Sequence, residues 1–200
     1  MDEQQEACWG PKLWEELRSS EPDKVCERCK VEYDPAGFYV VNSLGSTVRV
    51  YPQEERLQAD DESLAASADY QLLLVSYLLY AQNIDSAGNW VSEKDLKDGS
   101  TFFRGPHAMP SAPLEGRFGD DLDGFREKAQ SLGAVVSEFG DISMVFPVLP
   151  RISFVIVLWL KDDEFPARVT FMMDSSIEAH LPLDVISAMA VSVTQQLTNN

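Results

Sequence analysis

Positive charge, cysteine and histidine are all in short supply, and each shortage removes a class of function. Sixteen Lys and Arg stand against 33 Asp and Glu, a formal charge of −17. Nucleic-acid affinity rests on basic side chains displacing counterions from phosphates, and the basic residues here are scattered. No nucleic-acid partner is expected, and the same sign disfavours anionic membrane surfaces. Three cysteines, Cys8, Cys26 and Cys29, are too few and too clustered for a disulfide framework. No apolar run approaches the roughly 18 residues that a membrane helix needs. The longest, residues 72–81 and 152–160, are interrupted by Ser76 and Ser153, so no membrane insertion is expected. The first residues, MDEQQE, are acidic where a secretory signal is basic and then apolar. Together these absences imply a soluble protein of a reducing, cytoplasmic compartment. Also missing are a serine nucleophile elbow, a P-loop, a dinucleotide glycine fingerprint and a His-Glu-x-x-His helix. Common hydrolases, nucleotide enzymes and zinc proteases are thereby disfavoured.

What is present suffices for a continuous core. At 44% hydrophobic, the 200 residues are too apolar for disorder despite the charge. The pattern predicts one domain over residues 10–197 behind a flexible start, residues 1–9. Pro11 and Pro22 open two short helices, ending near Leu17 and Lys30. Residues 38–42 and 47–51 read as a hairpin around Leu44-Gly45, and the polar stretch 53–62 as a solvated connection. A long helix, apolar nearly all round at its end, is expected over 62–82. Residues 83–120 are crowded with Gly, Pro and Asn and read as a long loop, holding a short helix at 92–96 and a strand at 101–104. Residues 121–132 form an amphipathic helix stopped by Gly133. Four strands follow, at 134–139, 143–148, 152–160 and 167–172, joined by short turns. Then come a short helix opened by Ser175 and a terminal helix over 183–197. The fold class is α+β: an antiparallel sheet, built from the C-terminal meander and N-terminal hairpin, packed by the long central helix and the C-terminal helix.

Several clusters have residue types that carry chemistry. Cys26-Glu27-Arg28-Cys29 offers two thiols for zinc, iron or redox exchange, and equally a half-buried helix face on which cysteine acts as a small hydrophobe. Residues 102–110 (FFRGPHAMP) place an aromatic pair, Arg104 and His107 on a stiffened loop suited to clamping a planar or anionic ligand. Asp162, Asp163 and Glu164 crowd a turn, an arrangement that raises a carboxyl pKa or attracts a cation. Asp174 and Ser175 stand where a strand becomes a helix and read as caps, with His180 near that helix's end. Residues 119–124 (GDDLDG) imitate a calcium loop but fail its spacing at Gly119 and Gln130.

The segments 158–167 (LWLKDDEFPA), 171–176 (FMMDSS) and His180-Leu181, with 14–17 (WEEL) and 103–107 (FRGPH), resemble a domain-of-unknown-function family of anaerobic bacteria and archaea. The resemblance spans roughly residues 10–197. Some relatives are joined to a four-cysteine iron–sulfur module, which the three cysteines here do not reproduce. The resemblance implies an accessory role in anaerobic metallocofactor metabolism, with a metalloprotein or a small-molecule cofactor as partner.

Three functions follow as expectations. The first is a binding module for a tetrapyrrole, haem or corrinoid, with His107 the first and His180 the second choice of axial ligand. Arg104 would then pair with a propionate or amide, and Phe103 and Trp159 would pack on the ring. The second is an enzyme whose Asp162 and Glu164 converge with His107 or His180 for acid–base work. The third is a structural protein whose sheet edge or acidic face binds a partner.

Overall fold

The computed structural model describes residues 10–199. The expected flexible start, which includes Cys8, lies outside the described residues. Helices α1 (Gly10–Ser19) and α2 (Pro22–Cys29) bury Trp14, Leu17, Val25 and Cys29. Strands β1 (Glu32–Asp34), β2 (Phe38–Ser43), β3 (Ser46–Tyr51) and β4 (Arg56–Gln58) then form a four-stranded antiparallel sheet in chain order. Its central hairpin turns at Leu44 and Gly45, both at positive φ, as a tight two-residue connection requires. β4 corrects the expectation of a solvated connection: Leu57 is buried and pairs with Val50. One apolar residue among polar ones gave too short an alternation to read as a strand.

The long helix is also corrected, because it breaks at Ser67. Asp61 caps α3 (Glu62–Ala66), its side chain accepting from the Ser63 and Leu64 amides. Ser67 turns extended and starts α4 (Ala68–Tyr80), which is buried nearly all round as its composition dictates. In the Gly/Pro-rich middle, residues 93–98 make turns where a helix was expected. The anticipated strand at 101–104 is instead α5 (Gly99–Phe102). The β-forming Thr101-Phe102-Phe103 run finds no partner strand, so local hydrogen bonds take over. Two further elements went unread. β5 (Trp90–Val91) adds to the far sheet, and α6 (Ser111–Phe118) holds Pro113 within its first turn, where no intrahelical N–H is needed.

α7 (Leu122–Ser131) leads into β6 (Val135–Ser137), β7 (Ile142–Leu149), β8 (Ile152–Trp159) and β9 (Arg168–Asp174). These join β5 in a second antiparallel sheet of order β5-β9-β8-β7-β6. A short 3₁₀ turn (Ser175–Ala179) and α8 (Leu183–Thr198) complete the chain. The α+β class and the antiparallel pairing are as the pattern dictated, while hairpin and meander occupy separate sheets. α4 packs on α8 and α1 on α4, and α6 bridges α8 and β9. The two sheets meet where the Leu44 amide donates to the Pro147 carbonyl at 3.3 Å.

Candidate functional site

The loop carrying His107 is fastened at one end by Phe103, which is buried, and stiffened by rings. Phe102 and Phe103 meet edge to face, and the His107 imidazole stacks on Phe102 at 4.7 Å with the planes 24° apart. Gly105, at φ 57, opens a 3₁₀ turn (Gly105–His107) that turns the chain back. His107 is half-exposed and the Arg104 side chain is exposed. An accessible imidazole, an aromatic platform and a cation thus share one short stretch of surface.

His180 has the opposite environment. It is 1% exposed, and its Nδ1 accepts the Gln82 amide at 3.2 Å. In the neutral ring the proton therefore sits on Nε2, which is buried without a partner. Burial, then the nearby Arg151 cation, lower its pKa, with Asp174 opposing. Placing a ligand on His180 would require opening this packing.

Around it lies a polar network that sequence reading did not assemble. Arg151 donates to the Arg28 carbonyl at 2.7 Å and the Ile84 carbonyl at 2.8 Å, and to the side chains of Asn83 and Asp85. Lys30 also reaches Asp85, at 2.8 Å. Asp174 accepts from the Ser86 and Ser176 hydroxyls, both at 2.6 Å, and from the amides of Ala87, Gly88 and Ser176. Burial pushes its carboxyl up, but these hydrogen bonds outweigh burial and hold it far below the ordinary range. The capping reading of Asp174 is present in the Ser176 amide, while Ser175 donates its own amide to Asn89 instead. Residues 82–89 are thus strapped across the end of β9. A signal for Arg151 existed: a lone cation between two strongly apolar strands.

The remaining candidates are dispersed. Asp162 and Glu164 are exposed, and Asp162 accepts the amides of Glu164 and Phe165 at 2.8 and 2.7 Å, closing the acidic turn on itself. This turn and Trp159 lie at one end of β9 and His180 at the other. The seven residues of β9 at about 3.3 Å each put some 20 Å between them. Trp159 is half-buried with the Arg168 guanidinium over its ring at 5.1 Å. Among the described residues, no hydrogen bond, ion pair or ring contact joins His107 to His180, Trp159 or the acidic turn. Cys29 is fully buried with its thiol toward the Tyr77 carbonyl at 3.4 Å, and burial raises the pKa of Cys29 and of half-buried Cys26. Low thiolate character suits packing rather than metal ligation. An open cleft of about 360 Å³ lies elsewhere, between the β2–β3 and β7–β8 turns, and includes Thr47, Pro150 and Ser153.

The class these elements define is an α+β domain of two antiparallel sheets in which Arg151, Asp174 and His180 hold the 82–89 segment in place. Residues 21–196 match the domain-of-unknown-function family DUF3786, and the chain belongs to that family. No curated protein and no solved structure is significantly similar to it.

Proposed function

We propose that this chain is a non-enzymatic binding module of anaerobic metallocofactor metabolism, acting in the cytoplasm, whose contact surface is the loop around His107. The observation that carries the reading is the stacked, half-exposed imidazole on Phe102, anchored through buried Phe103 beside exposed Arg104. A loop that orders its own histidine without burying it keeps a lone pair free for a metal or a polar partner. The favoured ligand is a tetrapyrrole, haem or corrinoid, alone or carried by a metalloprotein. His107 would supply the axial nitrogen, Phe102 an aromatic wall, and Arg104 a partner for a peripheral carboxylate or amide. His180 is the less suitable ligand because its Nδ1 is engaged and its Nε2 is enclosed. An acid–base enzyme is less well supported, since the acidic turn and His180 occupy opposite ends of β9.

Absorption titration with haem and with cobalamin tests this. A saturable Soret or corrinoid band shift is expected, lost in His107→Ala and kept in His180→Gln. No shift with either ligand, or a shift that survives His107→Ala, overturns the tetrapyrrole reading.

A further inference from the structure

Among the described residues, the β6 edge of the second sheet presents two adjacent exposed apolar side chains. β6 pairs, among the described residues, only with β7, Val135 opposite Val145 and Val136 opposite Met144. Consecutive strand residues point to opposite faces, so Val135 and Val136 lie on the two sides of the sheet. Their exposures are 62% and 57%, whereas Met144, across from Val136, is fully buried. The packing that buries Met144 therefore stops short of Val136, although α7 approaches the strand. Natural edges are usually protected by shortness, by Lys or Pro, or by a covering element; this one is short, at three residues, but presents two valines in place of a charge. Phe139, 37% exposed, continues the apolar strip.

The strip runs into a concentration of negative charge. Glu138 and Asp141 are exposed just beyond β6. The Asp141 carboxylate accepts the Leu160 amide at 2.8 Å, which puts the turn with Asp162, Asp163 and Glu164 at the same corner. Phe165, 66% exposed, projects from that turn. The nearby cations are occupied, Lys161 by Asp120 and Arg168 by the Trp159 ring.

We propose that β6 is a docking edge for an extended basic segment of a partner polypeptide, which adds a sixth strand beside the valines and sets its Lys or Arg side chains against the acidic corner. Main-chain hydrogen bonds supply the affinity of such strand addition, and the flanking side chains its selectivity. Charge decides against a second copy of the chain, because each copy carries −17 and its β6 has no basic side chain to set against the acidic corner. The proposal is independent of the His107 loop.

The test uses the whole chain and three fluorescein-labelled peptides of about eight residues. One alternates Lys and Val, one has Glu for each Lys, and one has Ser for each Val. Fluorescence anisotropy should show the Lys/Val peptide binding at least about tenfold tighter than either control. Salt should narrow its lead over the Glu peptide, because exposed charges are screened. Amide hydrogen exchange should slow at residues 135–137 on binding. Val136→Glu separates shape from charge: added negative charge strengthens a diffuse attraction, whereas loss of the apolar edge weakens strand addition. Weaker binding in V136E, with an unchanged circular dichroism spectrum, is the expected result, and Val135→Thr gives a milder loss should V136E fail to fold. Equal binding of the Lys/Ser peptide, or unweakened binding by V136E, overturns the proposal. A dimer in sedimentation that V136E dissociates assigns the edge to a second copy and overturns it as well.

Discussion

Asp174 and His180 stand a few residues apart and titrate in separate pH ranges. A carboxylate whose folded pKa is depressed contributes stability that is complete above its unfolded value near ~4 and is lost as pH falls below it. Asp174 belongs to this case, since its hydrogen bonds exist only in the folded chain. His180 is also shifted downward, first by burial. Its unfolded form takes up a proton near ~6.5 before the folded form does, so its contribution is complete above that pH and shrinks below it. The urea midpoint should therefore hold steady from about pH 7 to 8 and decline in two stages on acidification. His180→Gln retains an acceptor for the Gln82 amide and removes the titration, so the upper stage should flatten while the lower one persists. An unaltered upper stage in that variant would assign it to another group. The sequence placed both residues near a strand-to-helix junction, and Asp174 does cap there. It could not reveal that Gln82 and Ser86, some 90 positions earlier, are the other partners.

The turn of the β2–β3 hairpin and the stop of α7 were each legible, from Leu44-Gly45 and from Gly133. That they touch was not. A Cβ on Gly45 would lie 2.8 Å from the Leu132 carbonyl carbon and 2.9 Å from the Gly133 nitrogen, with φ at +74. This contact seats the hairpin turn on the C-terminal end of α7, and only a residue without a side chain fits it. Gly45→Ala should destabilise the protein by about 2–3 kcal/mol, combining backbone strain with displacement of main chain. Gly88, at φ +71 with nothing within 4 Å of its Cβ position, separates the two terms. Gly88→Ala should cost only about 1 kcal/mol, the backbone part alone. Comparable urea midpoints for the two variants would remove the close approach as the cause. The helix expected over 62–82 illustrates the opposite situation. No Gly or Pro interrupts that stretch, and the break at Ser67 is a tertiary choice that seats α3 beside β4 and α4 against α8.

Across the whole molecule the surplus of acidic side chains dominates. Among the described residues most ion pairs are solvent-exposed, as with Lys24–Glu21 and Arg126–Asp123, and such pairs contribute between zero and about 1 kcal/mol. Self-repulsion of a −17 chain is spread over the surface and responds to screening. The thermal midpoint should therefore rise as NaCl is raised toward about 0.5 M. A fall over that range would mean that the attractive pairs outweigh the general repulsion. The same excess sets the sign of any docking segment at β6, and it separates that surface from the His107 loop, whose exposed side chain is cationic.

Hydrophobic alternation, turn residues and helix stops are local quantities, and they determined the α+β class, the C-terminal meander, the hairpin and the buried character of α4 and β8. They also singled out His107 and His180, because a rare residue is conspicuous in any sequence. Which histidine would be enclosed, and by what, was decided only in three dimensions. Arg151 reaches a carbonyl at Arg28, 123 positions away, and the side chain of Asn83, 68 positions away. Periodicity records which face of an element turns inward but carries no information about which distant polar group it will meet there. That pairing is fixed when packing removes water and leaves a buried donor dependent on the acceptors the fold brings to it.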